Sequence, residues 1–169
     1  MWSKAKVILR TATLEDLEVL HLWDRDPHVG YSGGDTYDWE YELGRLVSWR
    51  EILIAEVDGR PIGVTVLIDT CEEETHYWGA HSEQGAWAID IWIGSPENRS
   101  KGYGREMMLQ SLHRCFAIHK AHKVLIDPLE SNLRAISFYE RLGFRVLGPV
   151  IFDDDECLVM AIDKEEFLR

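Results

Sequence analysis

Arg99-Ser100-Lys101-Gly102-Tyr103-Gly104 stands between the apolar run Trp87 to Ile93 and the helix-forming segment Arg105 to His119. Two glycines one residue apart let the backbone turn tightly and bring its N–H groups close to a ligand. A helix starting there aims its positive end at the same point. Arg99, Lys101 and Arg105 add cationic donors. The stretch reads as a cradle for a phosphate-like anion. A strand-to-helix turn that uses glycine for geometry alone is the competing reading of a bare G-x-G. A P-loop is excluded because its G-x-x-x-x-G-K-[ST] order is absent. A dinucleotide fingerprint would need a third glycine where Met107 stands.

On the N-terminal side of the loop, Trp87, Ile89, Ile91 and Ile93 alternate with Ala88, Asp90 and Trp92, the pattern of a strand. Asp90 therefore sits on the opposite face to the isoleucines, and a strand carboxylate is costly to bury without partners. On the other side, His122 to Ile126 predicts a strand that Asp127-Pro128 ends, since proline cannot extend the ladder. Ser131 to Arg141 predicts a helix closed by Gly143, and Phe144 to Leu147 with Glu156 to Ile162 predict a strand pair around Asp153-Asp154-Asp155.

Arg99-x-x-Gly102-x-Gly104 after an apolar strand resembles the acetyl-CoA pyrophosphate loop of the GNAT N-acetyltransferase superfamily. Asn132-Leu133-Arg134-Ala135-Ile136-Ser137-Phe138-Tyr139-Glu140-Arg141-Leu142-Gly143-Phe144 resembles that superfamily's N-x-x-A-x-x-x-Y-x-x-x-G-F segment. The resemblance implies an α+β fold with a central mixed, mostly antiparallel sheet of about seven strands, strands 4 and 5 splayed, flanked by about four helices. It further implies that acetyl-CoA is held by Ile91, Trp92 and Ile93 through backbone groups, by Arg99, Ser100, Lys101, Gly102, Tyr103, Gly104 and Arg105, and by Asn132 and Ala135. Trp87-Ala88-Ile89-Asp90 and Ile126-Asp127-Pro128, each placed before one of these motifs, look like the aminoglycoside 6'-N-acetyltransferases. In that family the acid matching Asp90 lies at the acceptor amine, as base or as orienting group, and the one matching Asp127 also faces the antibiotic. Tyr139 would protonate the departing thiolate, where the other reading makes it a core aromatic at helical spacing from Ala135.

The N-terminal half matches mainly in aromatic and acidic character. Lys6 to Arg10 predicts a first strand, and Thr13 caps a helix through Trp23 with Leu14, Leu17, Leu20 and Leu22 as its core stripe. Asp24 to Asp35 is glycine-rich with rings attached, either a substrate wall or a connector packed on the core. Asp35 or Thr36 caps a second helix towards Trp49. Asp58-Gly59 joins two strands, Glu51 to Val57 and Pro61 to Asp69, as a tight hairpin. Glu72 to Glu83 mixes His and Glu without zinc spacing, so no metal is expected. Trp23, Tyr37, Asp38, Trp78, Asp90, Asp127 and Asp153 are the candidate acceptor-binding residues.

With 169 residues the chain is expected to form a single domain over 1–169. A formal net charge of -12, from 30 acidic against 18 basic residues, argues against nucleic acid or an anionic membrane and for a cationic partner, with acidity for solubility as the competing reading; the resemblance implies that the partner is a small-molecule amine. Cys71, Cys115 and Cys157 lack metal spacing and read as reduced thiols, and Met1 to Arg10 has no apolar signal core, so a cytoplasmic location is expected; no sequence feature distinguishes a monomer from a homodimer. Acetylation of another amine, such as a polyamine, a siderophore precursor or a protein N-terminus, remains an alternative. So does an acetyl-CoA-binding module without catalysis.

Overall fold

The computed structural model describes residues 5–27, 29 and 37–169. The strands are β1 Val7–Thr11, β2 Arg50–Val57, β3 Arg60–Asp69, β4 Ala86–Ile93, β5 Lys123–Ile126, β6 Arg145–Phe152 and β7 Asp155–Asp163. They form one seven-stranded sheet in the order β1-β2-β3-β4-β5-β7-β6. Among the described residues the helices are α1 Leu17–Asp24, α2 Trp39–Leu43, α3 Tyr103–His113, α4 Leu133–Arg141 and α5 Lys164–Phe167. The mixed, mostly antiparallel sheet is as expected. β1 pairs antiparallel with β2, and β7 with both β5 and β6. β4 runs parallel to β5 over the pairs Ala86↔Lys123, Trp87↔Val124 and Ala88↔Leu125, and β4 itself continues to Ile93.

The chain divides into two compact units, Met1–Val66 with Asp90–Ser111 and Leu67–Ile89 with Leu112–Arg169. In the first, Val7, Ala55, Val57, Ile62 and Met107 form a buried cluster, with Ile91, Ile93 and Tyr103 packed against it. Asp58 and Gly59 both take positive φ, 50° and 73°, as a two-residue hairpin turn with matching twist requires. α3 is pinned to β1 by Gln110, whose amide donates to the Val7 carbonyl at 2.9 Å, while the Val7 N–H donates to Glu106 at 3.3 Å. In the second unit, Trp87 stacks on His119 with centroids 4.0 Å apart, and Phe116 meets Phe167 at 5.3 Å.

Several local expectations change. Thr13 does start the first helical segment, but as a capping box with Asp16 on a short 3-10 turn, Leu14–Asp16, that leads into α1. The buried face there is Asp16, Leu20 and Trp23, whereas Leu14 and Leu22 are exposed. The 3-10 turn resets the helical phase, so a single 3.6-residue stripe from Leu14 does not hold. Asp38 caps α2, which stops at Leu43 instead of reaching Trp49, while Asp35 and Thr36 lie outside the described residues. The segment after Gly102 is α-helical only to His113 and becomes a π-helix over Arg114–Ile118. β6 is longer than expected, and α5 had no periodic signal in its four residues.

Candidate active site

Asp90 and Trp92 lie two residues apart on β4, and Tyr37 reaches both. The Tyr37 hydroxyl donates to Asp90 Oδ2. Its ring stacks on Trp39 with centroids 4.8 Å apart at 19°, and on Trp92 at 6.1 Å and 28°. Trp39 is anchored from behind, because its indole N–H donates to Asp24 Oδ2 at 2.8 Å, tying α2 to the last residue of α1. Burial pushes the Asp24 carboxyl above its ordinary range, against the opposing pull of the Trp39 hydrogen bond and the His21 charge. Asp90 is thus a half-buried carboxylate held by a tyrosine whose ring is packed on two tryptophans. Such a fixed anion suits an ammonium, whose N–H groups it can accept as charge-assisted hydrogen bonds.

Further along the same unit, Gly94 packs under Trp23, where a Cβ would lie 2.1 Å from the indole. That close approach explains why glycine stands at the end of β4. Pro96–Asn98 forms a 3-10 turn, and Ser100 and Gly102 then take positive φ of 60° and 84° before α3 begins at Tyr103. Lys101 and Arg105 are exposed at this turn. Arg99 donates to Asp26 at 2.8 Å, which fixes the guanidinium, while its buried Nε has no acceptor among the described residues. An exposed positive-φ turn at a helix N-terminus, with an orphaned arginine N–H, fits an oxyanion ligand such as a pyrophosphate.

The second unit holds a second tyrosine–aspartate pair. Asp127 follows β5, and the Tyr77 hydroxyl donates to its Oδ2 at 2.5 Å. Tyr77 stacks on Phe152 at 4.3 Å and 15°, with Trp78 edge-on to both rings. Glu73 builds the turn that presents Tyr77, accepting from the Thr75 N–H and hydroxyl at 2.7 Å each and from the Tyr77 N–H at 2.9 Å. Burial opposes ionisation of Glu73, but those hydrogen bonds prevail and hold its carboxyl below the usual range. On α4, Asn132 is the N-cap and accepts from the Ala135 N–H at 3.2 Å. Tyr139 is half-buried, edge-on to Phe138 at 5.3 Å and Phe144 at 5.7 Å.

Within its unit, then, the structure brings together Tyr37, Asp90 and Trp92. In the other unit it places Trp78 beside the Tyr77–Asp127 pair. Trp23 and Trp78 are 2% and 3% exposed, so both act from within the packing. Asp38 accepts from the Tyr41 N–H at 3.0 Å as a helix cap, and Asp153 sits exposed in the β6–β7 turn with φ 52°. Sequence reasoning missed Tyr77, Trp39 and Asp24. Tyr77 and Asp127 are 50 positions apart, and no local spacing signals such a pair.

Residues 12–152 match the family described as acetyltransferase (GNAT) domain. The chain is 27% identical to the aminoglycoside N(6')-acetyltransferase type 1 of Klebsiella pneumoniae, over 99% of this chain and 88% of the relative. It superposes with a TM-score of 0.84 on aminoglycoside acetyltransferase AAC(6')-Ib solved with coenzyme A and kanamycin, at 26% identity, covering 97% of this chain and 98% of the other. Similarity to the spermine/spermidine N(1)-acetyltransferase of Bacillus subtilis is 22% identity over 48% of this chain and 53% of the relative.

Proposed function

This chain belongs to the GNAT acetyltransferase family, and from that premise we propose that it transfers acetyl from acetyl-CoA to the 6'-amine of an aminoglycoside. The observation that carries this reading is Asp90, an anionic position oriented by Tyr37 on the strand that leads into the Gly102 turn. A relative that covers nearly the whole chain is an aminoglycoside N(6')-acetyltransferase, and a structure similar over its full length binds coenzyme A and kanamycin.

Acetyl-CoA supplies an already activated thioester, so the protein's main task is to orient an amine. Backbone N–H groups at Gly102 to Gly104, with Arg99, Lys101 and Arg105, would hold the pyrophosphate. Asp90 accepts the ammonium N–H, fixes the nitrogen and takes up or relays the proton that must leave before the lone pair is available. The Tyr37 hydroxyl keeps the carboxylate in one orientation. Asp127, with Tyr77 and Trp78, is read as a second anionic contact for a polycation, and Tyr139 as the proton donor for the leaving thiol. We read 1–169 as a single catalytic domain and place it in the cytoplasm. Among the described residues no helix is long and apolar enough to cross a membrane.

A thiol-release assay with acetyl-CoA and kanamycin, tobramycin, spermidine and a peptide N-terminus tests the reading. Release with the two aminoglycosides, acetyl found on the 6'-nitrogen, and loss of both in Asp90→Asn are expected. Ready turnover of spermidine or the peptide, with every 6'-amino aminoglycoside untouched, overturns it.

A further inference from the structure

Trp92 is 8% exposed, yet its indole Nε1 finds no acceptor among the described residues. Its neighbour in the same ring cluster is treated differently. Trp39 meets Trp92 at 6.1 Å and 48°, and its own indole N–H is satisfied by Asp24. A buried N–H without a partner destabilises the fold, and folds rarely keep one without a use. Trp92 also shares the Asp90 face of β4. Two strand residues rise about 6.6 Å, and Tyr37 contacts both side chains from the same side.

The two groups have opposite hydrogen-bonding character. An ionised carboxylate only accepts, and an indole N–H only donates. Asp90 therefore takes an ammonium, while Trp92 Nε1 requires an oxygen or another acceptor and cannot serve a second ammonium. We propose that Trp92 is a specificity-determining residue of the acceptor site. Its indole N–H takes the ring oxygen of an amino sugar while Asp90 holds the amine one carbon away from that oxygen's carbon. The pair reads an amino-ether unit, and a polyamine, which carries a CH2 where the amino sugar has its ring oxygen, leaves the indole unpaired. This inference rests on the aminoglycoside reading above and sharpens it to one contact.

The test is a cycle of one protein change against one ligand change in steady-state kinetics of the full chain at saturating acetyl-CoA. The protein change is Trp92→Phe, which keeps a ring and deletes the donor. The ligand change is kanamycin against its carba analogue, with the ring oxygen beside the aminomethyl carbon replaced by CH2. We expect Trp92→Phe to lose roughly tenfold or more in kcat/KM on kanamycin and at most about twofold on the carba analogue, with wild type showing the same preference for oxygen and the variant showing none. Acetyl-CoA affinity by calorimetry stays the same. Equal losses on both acceptors, or weaker acetyl-CoA binding, would assign the donor to the fold or the cofactor and overturn the proposal; so would no loss at all.

Should Trp92→Phe fail to fold, replacement of Trp92 by benzothienylalanine keeps the ring shape and exchanges N–H for sulfur. That variant should melt no lower than wild type, because no protein hydrogen bond is broken, and should show the same oxygen indifference. A clear drop in its Tm would show that the N–H already serves the fold. The wild-type panel separates this result from the broader reading: if wild type acetylates spermidine and not kanamycin, both fall, whereas acetylation of kanamycin and its carba analogue at equal rates removes this inference alone.

Discussion

The Tyr37 hydroxyl donates to Asp90 Oδ2, joining two residues 53 positions apart in the chain. The same ring is stacked on Trp39 and Trp92, so the hydroxyl is delivered by a packed aromatic wall and not by a loose side chain. Tyr37→Phe keeps the ring and removes the donor. A hydrogen bond to a charged group contributes about 1.5–3 kcal/mol, so kcat/KM for the acceptor should fall roughly tenfold or more, with acetyl-CoA affinity unchanged by calorimetry. Wild-type kinetics in Tyr37→Phe would show that Asp90 keeps its orientation without the hydroxyl.

Gly102→Val addresses the turn before α3. Gly102 has φ 84°, a region that L side chains enter at a cost of about 1–3 kcal/mol. The variant should unfold at lower denaturant by that amount and bind acetyl-CoA at least about tenfold more weakly, because the displaced N–H groups no longer converge on one anion. Affinity equal to wild type in a folded variant would detach the turn from the cofactor.

A pH-dependent prediction concerns Asp16. Burial raises its carboxyl, but two N–H groups of Arg10 at 2.7 and 2.8 Å, the Thr13 N–H at 2.8 Å and the Arg10 charge outweigh burial and hold it below its ordinary 3.8. A depressed carboxyl stabilises the fold above 3.8, and that stability is lost as pH falls through the lower folded value. Asp16→Asn should therefore cost about 2 kcal/mol at neutral pH. The gap to wild type in urea midpoints should narrow as pH is lowered below 3.8. A gap constant from neutral to acid pH would mean that the Asp16 charge does not contribute.

The sheet was legible because β2, β3, β4, β5 and β7 are apolar runs bounded by turn residues, Asp58-Gly59 between β2 and β3 and Pro128 after β5 among them. The Gly102 turn and the Asn132 to Gly143 helix were legible because each is a local pattern, closed by positive φ at Gly102 and Gly143. Leu14 was misassigned because the 3-10 turn shifts the phase of the stripe, and Leu22 because it stands two residues, about 200° of helix, from buried Leu20. The partners of the two carboxylates were not legible. Tyr37 and Tyr77 reach Asp90 and Asp127 through long-range folding, and Trp39 depends on Asp24 from another helix. One residue type carried two readings: Asp38, an acid in an acidic stretch, is spent on capping α2.

The last prediction concerns Tyr139, which sits on α4 seven residues after its cap Asn132 and packs edge-on against Phe138 and Phe144. Those ring contacts alone would make it a core aromatic, and Tyr139→Phe would preserve them. If packing is its whole role, the variant should match wild type in stability and in turnover. If its hydroxyl supplies the proton to the leaving thiol, kcat should fall by roughly 10²-fold or more, since general acids contribute about that much. Stability and acetyl-CoA affinity should then stay near wild type, because the hydroxyl acts only as the sulfur departs. The measurement must be made where chemistry limits the rate, for example by single turnover with a slow aminoglycoside. A more acidic thiol leaving group should recover part of the loss in Tyr139→Phe, which a packing defect would not allow. We expect the large kcat effect with partial recovery, and turnover near wild type would return Tyr139 to the core.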